Sequence, residues 1–145
     1  MIAVNKNVIL ASGSPRRKEL LSLVIDSFTC LSLDIDESFP ASLPAHKVAA
    51  HLAVKKAEVA HQKCAEESII ITADTTVICD DILLEKPQSE KQAARFLNTL
   101  SNRWHEVVTA ACIRYCDQQF LHTSVNKVRF SSLPSDAIED YIRTG

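Results

Sequence analysis

The sequence is poor in glycine, the residue that gives a backbone most conformational freedom. It holds two glycines in 145 residues, Gly13 and Gly145, and no repeat, linker or low-complexity tract divides it. Its five cysteines include no CxxC pair, so the usual zinc-knuckle spacing is excluded and buried free thiols in a reducing compartment are the simpler interpretation. We therefore expect a single domain over residues 1–145 and a cytoplasmic protein.

Long apolar runs and an excess of positive charge are also missing. No run reaches the roughly 20 apolar residues that cross a bilayer, and the first residues, MIAVNKNVIL, do not resemble a signal peptide. Sixteen basic residues stand against 18 acidic ones, a net charge of −2, whereas nucleic-acid-binding domains are usually more basic. We expect neither a membrane nor a nucleic acid as partner, and an anionic ligand would need a local cluster of positive side chains.

The residues that are present describe a globular chain of alternating elements. Hydrophobic residues make up 46% of it and charged residues 23%. Crossover helices together with hairpins favour a mixed-sheet α/β domain. The patterns predict strands at 8–12, 28–33, 68–72, 104–116 and 119–130, and a hairpin in which TVICD and ILLE flank Asp80-Asp81. They predict helices at 15–24, 45–63, from the Ser89/Gln92 capping box to about Leu100, and after Pro134.

The segment ASGSPRR, residues 11–17, places two arginines where a strand becomes a helix. A helix N-terminus attracts anions through its unpaired N–H groups and dipole. Gly13 lets the backbone approach a ligand, while Ser12 and Ser14 add hydroxyls. Arg16 and Arg17 add guanidinium groups suited to phosphate oxygens. The segment is a candidate phosphate-binding loop; the alternative is a capped surface helix with two solvated arginines.

A carboxylate, Asp74, follows the apolar strand IIIT. We expect it at the carboxyl end of a central strand, where ligand sites of open α/β sheets concentrate. There it can hold a divalent metal or accept a proton from water, or it can simply bond its own turn.

Other chemically useful side chains are less specific. The acidic loop LDIDES, residues 33–38, can share Mg²⁺ with Asp74 or be merely solvated. Lys56 and Lys86 are single lysines of the kind that usually lie on the surface. His105 fits a structural histidine at the start of a strand.

The motifs are more informative together than separately. LASGSPRRKELL, DIDES, LAVKKA, ADTTVICDDILLEKP and LSNRWHEVVTA occur in the order and spacing of the Maf family. From about Val8 to Gly145 the sequence resembles the Maf nucleoside triphosphate pyrophosphatases, which are house-cleaning enzymes. The resemblance implies an ITPase-like fold with a mixed, twisted sheet, flanking helices and two lobes around a cleft. It also implies hydrolysis of a nucleoside triphosphate to the monophosphate and pyrophosphate, with Mg²⁺, or alternatively Mn²⁺, as cofactor.

The resemblance also assigns roles to residues. Asp74 matches the family's catalytic proton acceptor, and Glu37 matches the acidic loop residue near the metal, which Asp74 would share. With the chemistry of the loop, the resemblance assigns triphosphate binding to Ser12, Ser14, Arg16, Arg17, Lys56 and Lys86.

Substrate choice follows from two positions. Arg16 after SP and Thr75 after the aspartate match the branch that acts on dTTP and UTP, with CTP or modified nucleotides as further substrates. The branch that acts on 7-methyl-GTP tends to have tryptophan and glutamine there. Thr72 and Glu85 depart from the family, which often has glycine at both positions.

Family members usually continue beyond Gly145 with a segment that carries a third specificity residue, a glutamine. We expect the chain to be a C-terminally shortened Maf domain with an exposed sheet edge, which favours self-association, for example as a homodimer. Two alternatives to an enzyme stay open: a nucleotide-binding regulator of septum formation with little turnover, and an interaction domain.

Overall fold

Residues 1–144 are the part of the chain that this computed structural model describes, and they contain six strands and four helices. The strands are β1 (Val8–Leu10), β2 (Thr29–Cys30), β3 (Ile69–Cys79), β4 (Ile82–Leu84), β5 (Trp104–Tyr115) and β6 (Gln118–Arg129). The helices are α1 (Pro15–Ser22), α2 (Ala45–Lys63), α3 (Glu90–Leu100) and α4 (Ser135–Thr144). The predicted mixed α/β class is confirmed.

The sheet has the strand order β2-β1-β3-β5-β6, and β4 pairs with β3 outside this path. Strand β1 is parallel to β2 and to β3, with Ile9 opposite Thr29 and Ile70. Strand β4 is antiparallel to β3. Parallel pairs come from the two crossovers through α1 and α2, and the antiparallel pair comes from a hairpin, so the sheet is mixed for the reason the sequence indicated.

Strand β3 is longer than predicted, because IIIT and TVIC form one strand of 11 residues. Asp74 therefore lies inside a strand and not at its carboxyl end, which corrects our expectation. The reason is that β1 stops at Leu10, opposite Ile71, while β3 continues beside β5. Asp74 instead lies just past the carboxyl end of β1, its partner strand.

The predicted hairpin turn at Asp80-Asp81 is confirmed. Cys79 pairs with Ile82, and the two aspartates between them have φ values of 51° and 62°. Two successive left-handed residues define the turn that fits the twist of a hairpin. The later turn, between β5 and β6, consists of Cys116 and Asp117, one residue earlier than predicted.

Helix α2 has the predicted bounds and packs through alanine. Four of its alanines are fully buried, and they recur on one helical face: Ala49, Ala53, Ala57 and Ala60. Ala60 packs with Ala11 and Ile70 in the core. Because methyl groups are short, the backbone of α2 can approach β3 closely, which brings polar groups of the helix within reach of the strand.

The N-cap residues predicted for α1 and α3 are both found, but only that of α3 makes a side-chain capping hydrogen bond. In α3, Ser89 Oγ accepts a hydrogen bond from the Gln92 N–H at 3.2 Å, which is one half of the predicted capping box. The other half differs, because Gln92 Oε1 accepts from the N–H of Gln88 and not from that of the N-cap residue Ser89. Helix α1 ends at Ser22, earlier than predicted. Its N-cap is Ser14, as predicted, but the Ser14 side chain makes no capping hydrogen bond.

By its contacts, the chain separates into two compact units. Unit 1 consists of Met1–Asp74 and Thr109–Ser124, and unit 2 consists of Thr75–Val108 and the chain from Val125. Unit 1 holds β1, β2, α1 and α2, and unit 2 holds β4, α3 and α4. That both form one domain with two lobes around a cleft stays a prediction.

Two expectations from composition can be compared with residues 1–144. All five cysteines there are free thiols; Cys79 and Cys112 are buried, but Cys64 and Cys116 are half-buried and Cys30 is exposed. The prediction of buried cysteines is thus right for two of them and wrong for Cys30. No helix in this part of the chain is long and apolar enough to cross a membrane.

Candidate active site

Lys56 joins two carboxylates of unit 1. Its Nζ lies 2.6 Å from Asp74 Oδ1 and 2.8 Å from Glu37 Oε1. The side chains of Lys56 and Asp74 are about one-eighth exposed, at 13% and 12%, whereas that of Glu37 is 42% exposed. A helix, a strand and a loop thus contribute one charged group each to a cluster with one solvent-facing member.

The register between β3 and α2 explains this meeting. Thr72 and Asp74 point to the same face of β3 because side chains alternate along a strand, and both are buried. Thr72 Oγ1 donates to the carbonyl of Ala53 at 2.7 Å, and Asp74 accepts from Lys56, which is one helical turn further on. Thr72 therefore links β3 to α2 beside the cluster.

The electrostatics of the cluster keep Lys56 charged. Burial is the largest single effect and lowers the pKa of Lys56, but its hydrogen bonds to Asp74 and Glu37 and their negative charges outweigh it. The net pKa of Lys56 is raised above the ordinary value of 10.5. The ammonium group is therefore present throughout the neutral range.

The acidic loop is held by the neighbouring lysine. Lys55 Nζ donates to the carbonyl of Ser38 at 3.1 Å and lies 3.6 Å from the Asp36 carboxylate. Asp36 in turn accepts hydrogen bonds from the Ser38 hydroxyl and N–H, and these lower the pKa of Asp36. Consecutive lysines of α2 thus hold this loop: Lys55 contacts Asp36 and Ser38, and Lys56 contacts Glu37, which lies between them.

The predicted phosphate-binding loop is tied to β3. Arg17 Nη1 donates to the carbonyl of Ala73 at 2.7 Å and to Ser12 Oγ at 3.3 Å. Ser12 Oγ also accepts from the N–H of Ser14 at 3.3 Å. Arg17 is half-buried, whereas Arg16 beside it is exposed. The two arginines therefore have different environments.

The structure places seven of the nine predicted site residues in unit 1: Ser12, Ser14, Arg16, Arg17, Glu37, Lys56 and Asp74. Among them it brings together Lys56 with both carboxylates, and Arg17 with Ser12. Thr75 and Lys86 belong to unit 2, and both are exposed. His105 is 5% exposed and packs edge-on against Phe130, in agreement with a structural role.

The residue pattern alone did not reveal the position of Lys56. A single lysine on a helix is more typical of the protein surface than of a buried site. The available signal was that Lys56 lies on the same helical face as Ala49, Ala53 and Ala60, spaced four, three and four residues apart. No spacing in the sequence predicts the hydrogen bond from Arg17 to the main-chain carbonyl of Ala73.

The residues present supply only part of the ligand set that a divalent cation needs. Asp74 and Glu37 already converge on one positive charge, the Lys56 ammonium, and their hard oxygen atoms suit Mg²⁺ or Mn²⁺. Residues 1–144 contain no group of three or more His, Cys, Asp or Glu side chains that could hold a metal. A cation would therefore need further ligands from a substrate and water, which is the usual situation for Mg²⁺.

Solved structures share this fold. The Ham1 protein of Staphylococcus aureus superimposes with a TM-score of 0.63 at 14% identity, covering 86% of this chain and 71% of that one. A nucleoside-triphosphatase described as a dITP/XTP pyrophosphatase, from Mycobacterium abscessus, gives 0.58 at 15% identity, covering 83% and 72%. Likeness at such identity establishes the fold, and the predicted ITPase-like architecture is confirmed.

Sequence comparison places the chain more closely. The family model described as Maf-like protein matches residues 7–145. A protein of Porphyromonas gingivalis described as a dTTP/UTP pyrophosphatase is 41% identical over 138 residues, which are 93% of this chain and 69% of the relative. Other relatives, at 36–39% identity, carry the same description. The chain belongs to the Maf family, as the motifs predicted.

Proposed function

We propose that this protein hydrolyses nucleoside triphosphates, dTTP and UTP foremost, between the α and β phosphates. The products are the nucleoside monophosphate and pyrophosphate. The observation that carries the proposal is the Lys56 ammonium shared by Asp74 and Glu37, in a chain 41% identical to a protein described as a dTTP/UTP pyrophosphatase.

Asp74 is the group that orients the attacking water and accepts its proton. Its side chain is buried, and its Oδ1 accepts a hydrogen bond from Lys56. Because Lys56 stays protonated, it holds Asp74 in place without competing as a base. A proton acceptor fixed in this way is suited to general-base catalysis.

The Ser-Arg loop and the lysines bind the triphosphate. Arg16 is exposed at the N-terminus of α1, where the backbone N–H groups and the dipole also favour anions. Ser12, Ser14 and Arg17 complete the loop, and Lys86 is exposed in unit 2. Preorganised positive groups of this kind stabilise the charge that develops on leaving pyrophosphate.

Asp74 and Glu37 would also hold a divalent cation, Mg²⁺ or alternatively Mn²⁺. When bound, it would supply positive charge that offsets the negative charge of the triphosphate. Support comes from the two carboxylates that converge on one cation, with Glu37 open to solvent. Arg16 and Thr75 would select the pyrimidine base, with CTP or modified nucleotides as further substrates in a house-cleaning role. A cytoplasmic location and a homodimer belong to the same proposal.

The test incubates the protein with dTTP and Mg²⁺ and measures both products. Equal amounts of dTMP and pyrophosphate support the proposal, and dTDP with inorganic phosphate contradicts cleavage between the α and β phosphates. Binding without turnover would indicate a regulator, and neither binding nor turnover an interaction domain. Chelation by EDTA should abolish release, and restoring Mg²⁺ or Mn²⁺ separately identifies the preferred cation.

A further inference from the structure

Arg17 makes a contact that phosphate binding alone does not explain. Its Nη1 donates to the main-chain carbonyl of Ala73 at 2.7 Å. Ala73 immediately precedes Asp74, the proposed proton acceptor. The same Nη1 donates to Ser12 Oγ at 3.3 Å, so one nitrogen joins the Ser-Arg loop to the backbone that carries Asp74.

The position of this contact follows from the sheet. Just beyond β1, the N–H of Ala11 donates to the carbonyl of Ile71 at 2.9 Å. Along β3 the next carbonyl on the same edge, two residues on, is that of Ala73. At that point the segment that follows β1 has already left the sheet to form the loop before α1. The guanidinium of Arg17 thus takes the place of a main-chain N–H where the parallel pairing with β1 has ended.

Asp74 needs this support because it lies beyond the part of β3 that β1 holds. Its carboxylate must meet Lys56 at 2.6 Å, and a rotation of the Ala73–Asp74 peptide would move the carboxylate. A carbonyl anchored on one side by Arg17 resists that rotation. Arginine suits the task since its planar fork offers several N–H groups in fixed directions.

We propose that Arg17 is a positioning residue that fixes the main chain at Asp74, and that Arg16 is the arginine of the pair that chiefly holds phosphate. The inference rests on the proposed function, because it assigns Asp74 the role of proton acceptor. The difference in environment supports the division: Arg16 is exposed, and Arg17 is half-buried with Nη1 engaged by the protein itself.

The experiment compares Arg17→Ala, Arg17→Lys, Arg16→Ala and a control on the same helix, Lys18→Ala, with the unaltered protein. It measures kcat and KM for dTTP, and the affinity and stoichiometry of binding of a dTTP analogue that cannot be cleaved between the α and β phosphates. The number of analogue molecules bound per protein chain reports the fraction of chains that are folded. A variant that binds one analogue per chain but has a lower kcat has therefore lost activity and not folded protein.

For Arg17→Ala we expect kcat to fall about 10- to 100-fold, the cost of a small misplacement of a catalytic group, with KM and analogue affinity changed less than about threefold. Arg17→Lys, which keeps a positively charged donor nitrogen but loses the planar guanidinium, should recover part of kcat. Arg16→Ala should mainly raise KM and weaken analogue binding, and Lys18→Ala should match the unaltered protein.

An Arg17→Ala variant that weakens analogue binding as much as Arg16→Ala and keeps its kcat overturns the division of roles. If Arg17→Ala does not fold, the Arg17→Lys variant decides by the same split between kcat and KM. If the unaltered protein releases no pyrophosphate, the proposed function has failed; if it does and only the Arg17 pattern is absent, the present inference alone has failed.

Discussion

Lys56 Nζ lies 2.6 Å from Asp74 Oδ1 and 2.8 Å from Glu37 Oε1, so one ammonium group holds two carboxylates that would otherwise repel each other. The lysine comes from α2, Asp74 from β3, and Glu37 from the loop before α2. Its removal therefore has consequences both for stability and for chemistry, and the two can be measured separately.

Replacing Asp74 by asparagine retains the shape of the side chain and removes its basicity. We expect turnover of dTTP to fall by roughly two to four orders of magnitude, the usual range for loss of a general base. Nucleotide affinity should fall much less. Asp117→Asn, an exposed aspartate in the turn after β5, is the matched control and should keep full activity. Normal turnover by Asp74→Asn would exclude Asp74 as the base.

Replacing Lys56 by methionine should lower the free energy of unfolding by about 1–3 kcal/mol at neutral pH, since it removes hydrogen bonds to charged groups. Because the folded-state pKa of Lys56 is raised above 10.5, its contribution is complete below that value and declines as pH rises through the folded pKa. Urea denaturation near neutrality and at about pH 11 measures both effects.

The control for Lys56 is Lys47→Met, which removes an exposed lysine from the first turn of the same helix. Its unfolding free energy should stay close to that of the unaltered protein at both pH values. A Lys56→Met deficit that does not shrink in alkali would mean that lost packing, rather than lost charge, destabilises the variant.

Replacing Thr72 by valine should cost about 1–2 kcal/mol of stability, the usual loss for a buried hydrogen bond. The variant keeps the size of the side chain but removes the hydroxyl that donates to Ala53 at 2.7 Å. Thr72→Ser should retain most of the stability, and Thr123→Val, on exposed β6, should be nearly neutral. If Thr72→Val unfolds at the same urea concentration as the parent, the link between β3 and α2 contributes nothing.

The double variant Arg16→Trp with Thr75→Gln tests base selection. If these side chains contact the base, kcat/KM should fall for dTTP and rise for 7-methyl-GTP. The competing nucleotides are assayed at equal concentration by pyrophosphate release. An equal loss with every nucleotide would show that Arg16 serves the phosphates alone.

Much of the fold was predictable from local patterns. Helix α2 buries apolar residues at helical spacing and has the predicted bounds, and Asp80-Asp81 is a turn of left-handed residues, as a tight hairpin requires. The length of β3 was not predictable in the same way. Thr72, Ala73 and Asp74 look like a break between two apolar segments, but tertiary pairing with β5 continues the strand through them.

The sequence predicted which types of residue form the site, but it did not predict which of them form hydrogen bonds and ion pairs with each other. Charged side chains at motif positions indicate phosphate chemistry, but a sequence does not say which charges meet. The bond of Lys56 to both Asp74 and Glu37 depends on the register of α2 against β3. Likewise, the bond from Arg17 to the Ala73 carbonyl depends on where the pairing of β1 ends, which is a property of three-dimensional packing.

The buried alanines of α2 have a consequence for mutational screens of this protein. Ala53 and Ala57 are fully buried, so any larger side chain must push the helix away from β3, at a cost of about 1–3 kcal/mol for overpacking. The displacement would lengthen the Lys56–Asp74 contact as well. In a screen for activity, a conservative change such as Ala53→Val would therefore lower activity in the same way as a change of a catalytic residue. Neither alanine carries a reactive group.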